Sequence, residues 1–433
     1  MKRINLAMAL VGVLLMMAGC SKDKSADVAD LLKTVPSDAS LVMVMDLESI
    51  LEEMDCSVSG GVIKPGKDVI KAFEPLTDKS QLKNLEKFND AGIDWTVAAI
   101  FVEGYNSYLT GFLNDSGKFK DFVEERFGEK WATGEINTCG NVAMEGERFW
   151  VCLNSRNTIV ANDIRHFNTL SEKQSILSNK NVTKLQDLKT EMAGWGDISG
   201  VLNFAGLDFS SRAIVKLAME TVFEDAVELE WVVDLDNDEL KSEIEIINSK
   251  GGIAKFNFPV ELVDGDVIRN LNVSAAGIGA VAVSKKMIEQ IKAETSKESF
   301  SLIGAFVNMM LGCVDGTAAF AIGTQDAVSG IISTNGHGAT DLIDALKQFG
   351  MNVNKEGDAL LVSRGVVSGP LSSADAAEML KGSVMGVAFG GFDELSQMKT
   401  LSLTFHSEKG GLKGEIKAKG KDPKKKFLLN FIQ

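Results

Sequence analysis

Three stretches of this chain carry residue types at spacings that chemistry uses. Asp234-Leu235-Asp236-Asn237-Asp238, with Glu245 eleven positions after Asp234, has the spaced carboxylates of a calcium loop. Such a loop turns sharply on a glycine at its sixth position, where this chain has Glu239. Leu240, Ile244 and Ile246 keep strand alternation, so Asp234, Asp236 and Asp238 are a weak calcium candidate set on a hairpin. Gly61-Val62-Ile63-Lys64-Pro65-Gly66-Lys67-Asp68 approaches a phosphate-binding loop, but Asp68 stands where a hydroxyl must hold Mg2+. Read as following a helix, residues 57–67 form a solvated loop. Gly277-Ile278-Gly279-Ala280-Val281-Ala282 has dinucleotide-type glycines. That pattern must open a helix, and here it runs into a strand, so close backbone packing is the expectation.

The histidines are His166, His337 and His406. No Gly-x-Ser-x-Gly, His-Glu-x-x-His or Cys-x-x-Cys occurs. No catalytic residue, metal or cofactor is assigned, which favours a non-enzymatic role. Trp95, Trp131, Trp150, Trp195 and Trp231 are scattered through the first half, as core residues would be, with a sugar-stacking platform as the alternative.

The cysteines say more. Lys2 and Arg3 precede an uncharged apolar run to Met17, then Ala18-Gly19-Cys20. The run is shorter than the ~20 residues a spanning helix needs, and small residues before a fixed position suit a signal peptidase. The stretch resembles a bacterial lipobox. The resemblance implies that residues 1–19 are removed and that Cys20 is acylated, anchoring the chain to a lipid bilayer. Two or more acyl chains hold stably, at ~0.8 kcal/mol per buried CH2. Lys22-Asp23-Lys24-Ser25 then begins a polar tether over 20–34. Ser21, rather than Asp, fits outer-membrane transfer in enterobacterial lipoproteins. The lysines break up the acidic cluster that carries some Bacteroidota lipoproteins to the cell surface, so the membrane face stays open. Cys139 and Cys152 flank a hairpin with Glu145-Gly146 as its turn, which sets them opposite one another at disulfide range. Either a bridge or two buried thiols fits. Cys56 and Cys313 are left unpaired.

Of 433 residues, 45% are hydrophobic and 24% charged, the composition of a chain with a packed core. The formal charge is −15, which opposes nucleic acid and anionic surfaces.

The elements behind these residues form an ordered series. A short helix precedes a buried strand at 41–45 and a helix at 47–54. A hairpin turning on Tyr105-Asn106 leads to a helix from Ser116. Strands near 139–144, 148–153 and 158–162 follow. A helix over 182–192, a strand over 199–204 and a helix over 211–225 lead to strands 229–235 and 240–247. The second half repeats this order from strand 279–283 and helix 285–294 to a last strand at 427–432, after the solvated turn Lys424-Lys425-Lys426. Leu240-Lys241-Ser242-Glu243-Ile244 against Leu412-Lys413-Gly414-Glu415-Ile416 is the clearest echo. The expected class is α+β: two unequal repeats, 35–250 and 251–433, each a mainly antiparallel sheet with helices on one face. The lipobox, the Asp38-Ala39-Ser40 before a hydrophobic strand and the two halves together resemble a group of Bacteroidota lipoproteins defined only as a domain of unknown function. That resemblance implies a cell-envelope lipoprotein with a binding or structural role and an envelope protein or glycan as partner. The alternatives are lipid or glycan amphiphile binding and a hydrolase with an unrecognised carboxylate site.

Overall fold

The computed structural model describes residues 25–59, 62–73, 90–104, 106–127, 132–133, 138–144, 147–153, 157–161, 174–205, 208–295, 313–323, 327–336, 339–391 and 397–431. Cys20, His166, His337, Trp131 and the Glu145-Gly146 turn lie outside them.

The helices are α1 (Ser25–Leu32), α2 (Leu47–Glu52), α3 (Lys67–Phe73), α4 (Ser116–Phe127), α5 (Ile198–Phe204), α6 (Phe209–Val222), α7 (Gly265–Arg269), α8 (Lys285–Thr295), α9 (Ala339–Gln348) and α10 (Ser373–Met379). The first strands are β1 (Leu41–Asp46), β2 (Cys56–Ser59), β3 (Val62–Pro65), β4 (Ile93–Glu103), β5 (Asn106–Leu113), β6 (Ala132–Thr133), β7 (Thr138–Met144), β8 (Glu147–Leu153), β9 (Asn157–Ala161) and β10 (Met192–Asp197). Then come β11 (Phe223–Glu224), β12 (Ala226–Asp236), β13 (Glu239–Asn248), β14 (Lys255–Phe256), β15 (Ser274–Ala275), β16 (Gly277–Val283) and β17 (Val314–Ile322). The last are β18 (Val328–Thr334), β19 (Asn352–Glu356), β20 (Ala359–Arg364), β21 (Leu371–Ser372), β22 (Met385–Gly390), β23 (Met398–Glu408) and β24 (Gly411–Gly420). The protein is therefore mixed α and β, built on extensive antiparallel sheet.

Contacts divide the chain into two units. The first holds the described residues up to Met219, then Ala226–Gly252 and the end of the chain from Lys424. The second holds Glu220–Asp225 and Ile253–Pro423.

In the first unit the strand order is β6-β7-β8-β9-β5-β4-β1-β10-β12-β13, antiparallel throughout. β1 reads Leu-Val-Met-Val-Met because both its faces are covered. Val42 and Val44 join Val97, Ala99 and Phe101 beneath Val28, Leu31 and Leu32 of α1. Met45 faces the other way, with Ala98 and Ile100, against Leu47, Ile50 and Leu51 of α2. Helices therefore lie on both faces, not on one as the sequence suggested. A run of apolar residues without alternation is what two-sided burial requires.

Five local expectations are overturned. The strand placed at 199–204 is instead helix α5, the strand lying just before it as β10, and the helix placed at 182–192 is a 3-10 turn, Val182–Asp187. Asp197 switches the chain, because its backbone is extended while its carboxylate accepts the Gly200 N–H at 2.6 Å. Residues 57–67 hold the β2–β3 hairpin rather than a loop. Residues 427–431 form a 3-10 helix, not a strand. Asn106, expected in the turn of the first hairpin, belongs instead to β5 and pairs with Glu103.

In the second unit the order is β19-β20-β18-β17-β16-β22-β23-β24, and β24 continues to β14 and β11. One face packs Ile278, Ala280, Ala319, Ala321, Ile331 and Ala388 under α7 and α10, through Ile268, Ala376, Ala377 and Leu380. The small residues let short helices lie close.

Glycines in these strands make room for rings on the neighbouring strand. Gly194 pairs with Trp231, Gly277 with Phe389 and Gly330 with Phe320. A β-carbon at Gly194 would sit 2.1 Å from the Trp231 ring. Gly194→Ala is expected to destabilise the protein by about 1–3 kcal/mol, the usual cost of overpacking. Urea unfolding checks this, and an unchanged midpoint would show that the ring is free to move aside.

Candidate functional site

The second unit's sheet has another face, and among the described residues α8 and α9 pack on one end of it. There Val283, Ala318, Ile332 and Leu360 pack with Ile288, Leu342 and Leu346. Residues opposite one another on antiparallel strands share a face. The register therefore continues this face in two rows, Gly330–Phe320–Gly279–Val387–Leu403 and Val328–Ile322–Gly277–Phe389–Leu401. Phe320 is 37% exposed and Ile322 55%, while Val387, Phe389, Leu401 and Leu403 are half-buried. Five strands at ~4.8 Å spacing make this platform about 19 Å wide. Its rings are set by missing side chains. A β-carbon on Gly277 would meet Phe389 at 2.5 Å, and one on Gly330 would meet Phe320 at 2.6 Å. Neither row holds a polar side chain, so this surface can do no acid–base or metal chemistry. It can hold apolar matter. Arg364, opposite Val328 on β20, is the charged position at its margin.

The first unit carries a different cluster, at the ends of α2 and β12. Glu53 and Glu191 are half-buried carboxylates that interact with each other, and with Asp236 and Asp234 respectively. Burial pushes Glu53 above its ordinary 4.5, against the opposing pull of Lys426, whose Nζ lies 3.7 Å from Glu53 Oε1. Desolvation thus outweighs the ion pair. Burial likewise raises Glu191, although its Oε2 accepts the Leu235 N–H at 2.8 Å. Glu53 Oε2 is buried with no hydrogen-bond partner among the described residues.

The residues singled out from sequence fall as follows. Asp234 lies on β12 opposite Lys241, Asp236 accepts from the Asn237 amide at 2.7 Å, and Asp238 is in the turn that joins β12 to β13. Asn237, at φ 52°, makes that turn. Among the described residues no group of three or more His, Cys, Asp or Glu is placed to hold a metal. The glycine-rich stretch around Lys67 follows strand β3 and opens α3, contrary to the sequence reading. The carboxylate of Asp55 accepts the Asp68 N–H there at 2.9 Å. His406 is tied at both nitrogens, to Gly382 O at 3.1 Å and Thr404 Oγ1 at 2.9 Å. Trp95 and Trp195 are buried in the core. Cys56 is buried, and burial pushes its thiol up to about 11; Cys313 is buried too. β7 and β8 pair Cys139 with Cys152 at the Cα level.

Sequence reasoning missed the platform and the Glu53–Lys426 contact. The signal for the first was glycine inside a strand, which marks close approach. For the second, nothing local links residues so far apart.

No protein-family model matches the sequence, and no curated protein matches it. Among solved structures, crystal form I of TP0453 is similar over 81% of this chain and 95% of its own, at 10% identity and a TM-score of 0.29. Crystal form III gives 81% and 96%, 12% identity and 0.31. Crystal form IV gives 50% and 80%, 13% identity and 0.30.

The β7–β8 register leads to one covalent expectation. In the unfolded, unreduced protein, alkylation is expected to tag Cys56 and Cys313 only, with Cys139 and Cys152 tagged after reduction. Tagging of all four before reduction would exclude the bridge.

Proposed function

We propose that this protein is an extracytoplasmic lipoprotein, anchored through acylated Cys20 to the outer membrane of a cell envelope, with a binding role. The observation that carries the binding reading is the apolar platform of the second unit. Within that reading the ligand is an amphiphile that lays its apolar part on the Phe320–Phe389 surface. A glycan would need hydrogen-bonding groups beside the rings, and neither row has one. A hydrolase would need an acid, a base or a nucleophile at the bound group, and the raised carboxylates belong to the other unit.

The platform makes most sense if the two units are copies of one ancestral unit, which is also part of this proposal. The orders β5-β4-β1-β10-β12-β13 and β18-β17-β16-β22-β23-β24 support it, because they run through the chain in the same sequence. A helix follows the first strand in each, α2 after β1 and α8 after β16. Another follows the third, α4 after β5 and α9 after β18. On this correspondence β4 and β17 are equivalent. β4 is buried without a break from Val97 to Val102, whereas β17 leaves Phe320 and Ile322 exposed. The second copy thus has an open surface where the first is sealed.

Two measurements test the proposal. Cys20→Ala is expected to abolish the acyl mass and release the protein from membranes; membrane retention of the variant would remove the anchor. Native mass spectrometry of the purified protein is expected to find a co-purified amphiphile. The double variant Phe320→Ser, Ile322→Ser should lose that mass with little change in thermal midpoint, since exposed side chains contribute little stability. An amphiphile equally bound by the variant, or absent from both proteins, would rule the platform out.

A further inference from the structure

The last described residues return to the first unit, and they do so through one lysine. Lys426 Nζ donates to the Glu52 carbonyl and sits beside Glu53. The Phe427 N–H donates to the Asn237 carbonyl at the β12–β13 turn. Phe427 and Leu429 are buried, and Leu429 joins the cluster of Ile63, Val69 and Trp95. The Leu429 N–H and the Asn430 amide donate back to the Lys426 carbonyl, at 3.0 and 3.3 Å. This short segment therefore ties the end of α2, the β12–β13 turn and the β2–β3 layer together. Two forces act on it. Its apolar anchors draw it in. The carboxylates behind it, Glu53 with Glu191, Asp234 and Asp236, repel one another in a half-buried setting, and Lys426 is the cation among them.

We propose that residues 424–431 form a charge-gated strap, closed over the first unit's core while Lys426 balances the carboxylate beneath it. Glu53, just past α2, lies beside Lys426, which also donates to the Glu52 carbonyl; Glu52, Asp236 of β12 and Glu191 act on Glu53; Lys67 and Asp68 open α3, which packs on the strap; Lys424 and Lys425 lie on the strap itself. The sign follows from burial. A carboxyl raised above 4.5 stabilises the closed form while protonated, and that contribution is lost as pH rises through its folded value. Without the lysine, the loss falls entirely on the strap.

Hydrogen exchange at 424–431, corrected for the intrinsic pH dependence, tests this in the full chain. Between about pH 5 and about pH 8 the strap of wild type and of Lys426→Arg should lose less protection than that of Lys426→Gln. Lys426→Gln should be protected near pH 5 and lose protection about tenfold near pH 8, the scale of stranding one partly buried charge. Glu53→Gln added to Lys426→Gln should restore protection near pH 8. A Lys426→Gln strap equally protected at both pH values, or a double variant that stays open, would overturn the strap. A single variant too unstable to measure leaves the double variant to decide, because it removes the carboxylate that the lysine balances.

Discussion

A strand buried on both faces has no polar side to give to water, and both β1 and β16 are such strands. Each sits inside its unit's sheet with a partner on either edge. Each must also be roofed above and below, because apolar area left open forfeits about 25 cal/mol per Å2. The two units meet this requirement unequally. In the first, α1 roofs one face, and α2, Cys56, Ile63, Val69 and Leu429 roof the other. In the second, α7 and α10 roof one face and α8 and α9 part of the other. The strap and the platform both follow from how the second roof is made. Where distant segments complete it, the first unit needs the last residues of the chain. Where the described helices stop short, rings on glycine floors face outward.

The glycines show how close this construction runs to its limits. A sheet gains from large aromatic rings, since each buries much area. A ring laid over the paired residue of the neighbouring strand collides with any β-carbon there. Gly194, Gly277 and Gly330 resolve the conflict by giving up their own side chains to Trp231, Phe389 and Phe320. The cost is the backbone entropy that glycine loses on folding, and the covered ring offsets it. Mutations that enlarge these glycines and mutations that shrink the rings thus act on one contact.

Much of this was legible in the chain. The unbroken apolar run at 41–45 announced two-sided burial, although the sequence reading placed helices on one face only. The strands expected at 229–235 and 240–247 carry plain alternation and lie within β12 and β13. The segment 192–204 was misread because Met-Ala-Gly-Trp-Gly-Asp lacks the β-branched residues that mark strands. Its glycines serve contacts with Trp231 and Val201 instead. The residues after Lys426 were taken for a strand because Phe-Leu-Leu-Asn-Phe-Ile has strand composition; only the distant Asn237 carbonyl and Glu53 carboxylate explain its actual shape. The platform was invisible for the opposite reason. Phe320 and Ile322 look like core residues in sequence, and only exposure separates them from Val97–Val102. Local pattern reports what a residue prefers, while cover is decided by segments far away in the chain.

An exposed apolar face of this kind is ordinarily a route to self-association. The composition supplies a reason it can persist. The formal charge of −15 keeps copies apart through long-range repulsion, which falls on any other acidic macromolecule as well. A small amphiphile does not carry that charge and pays little of the repulsion. On the proposed amphiphile-binding reading, acidity and an apolar platform act together as a filter on size and charge. The same negative excess that keeps the platform free of other copies also crowds carboxylates together at the end of the first unit's sheet. There a single lysine answers it, and the surplus charge that protects one unit's surface becomes the load that the other unit's strap has to carry.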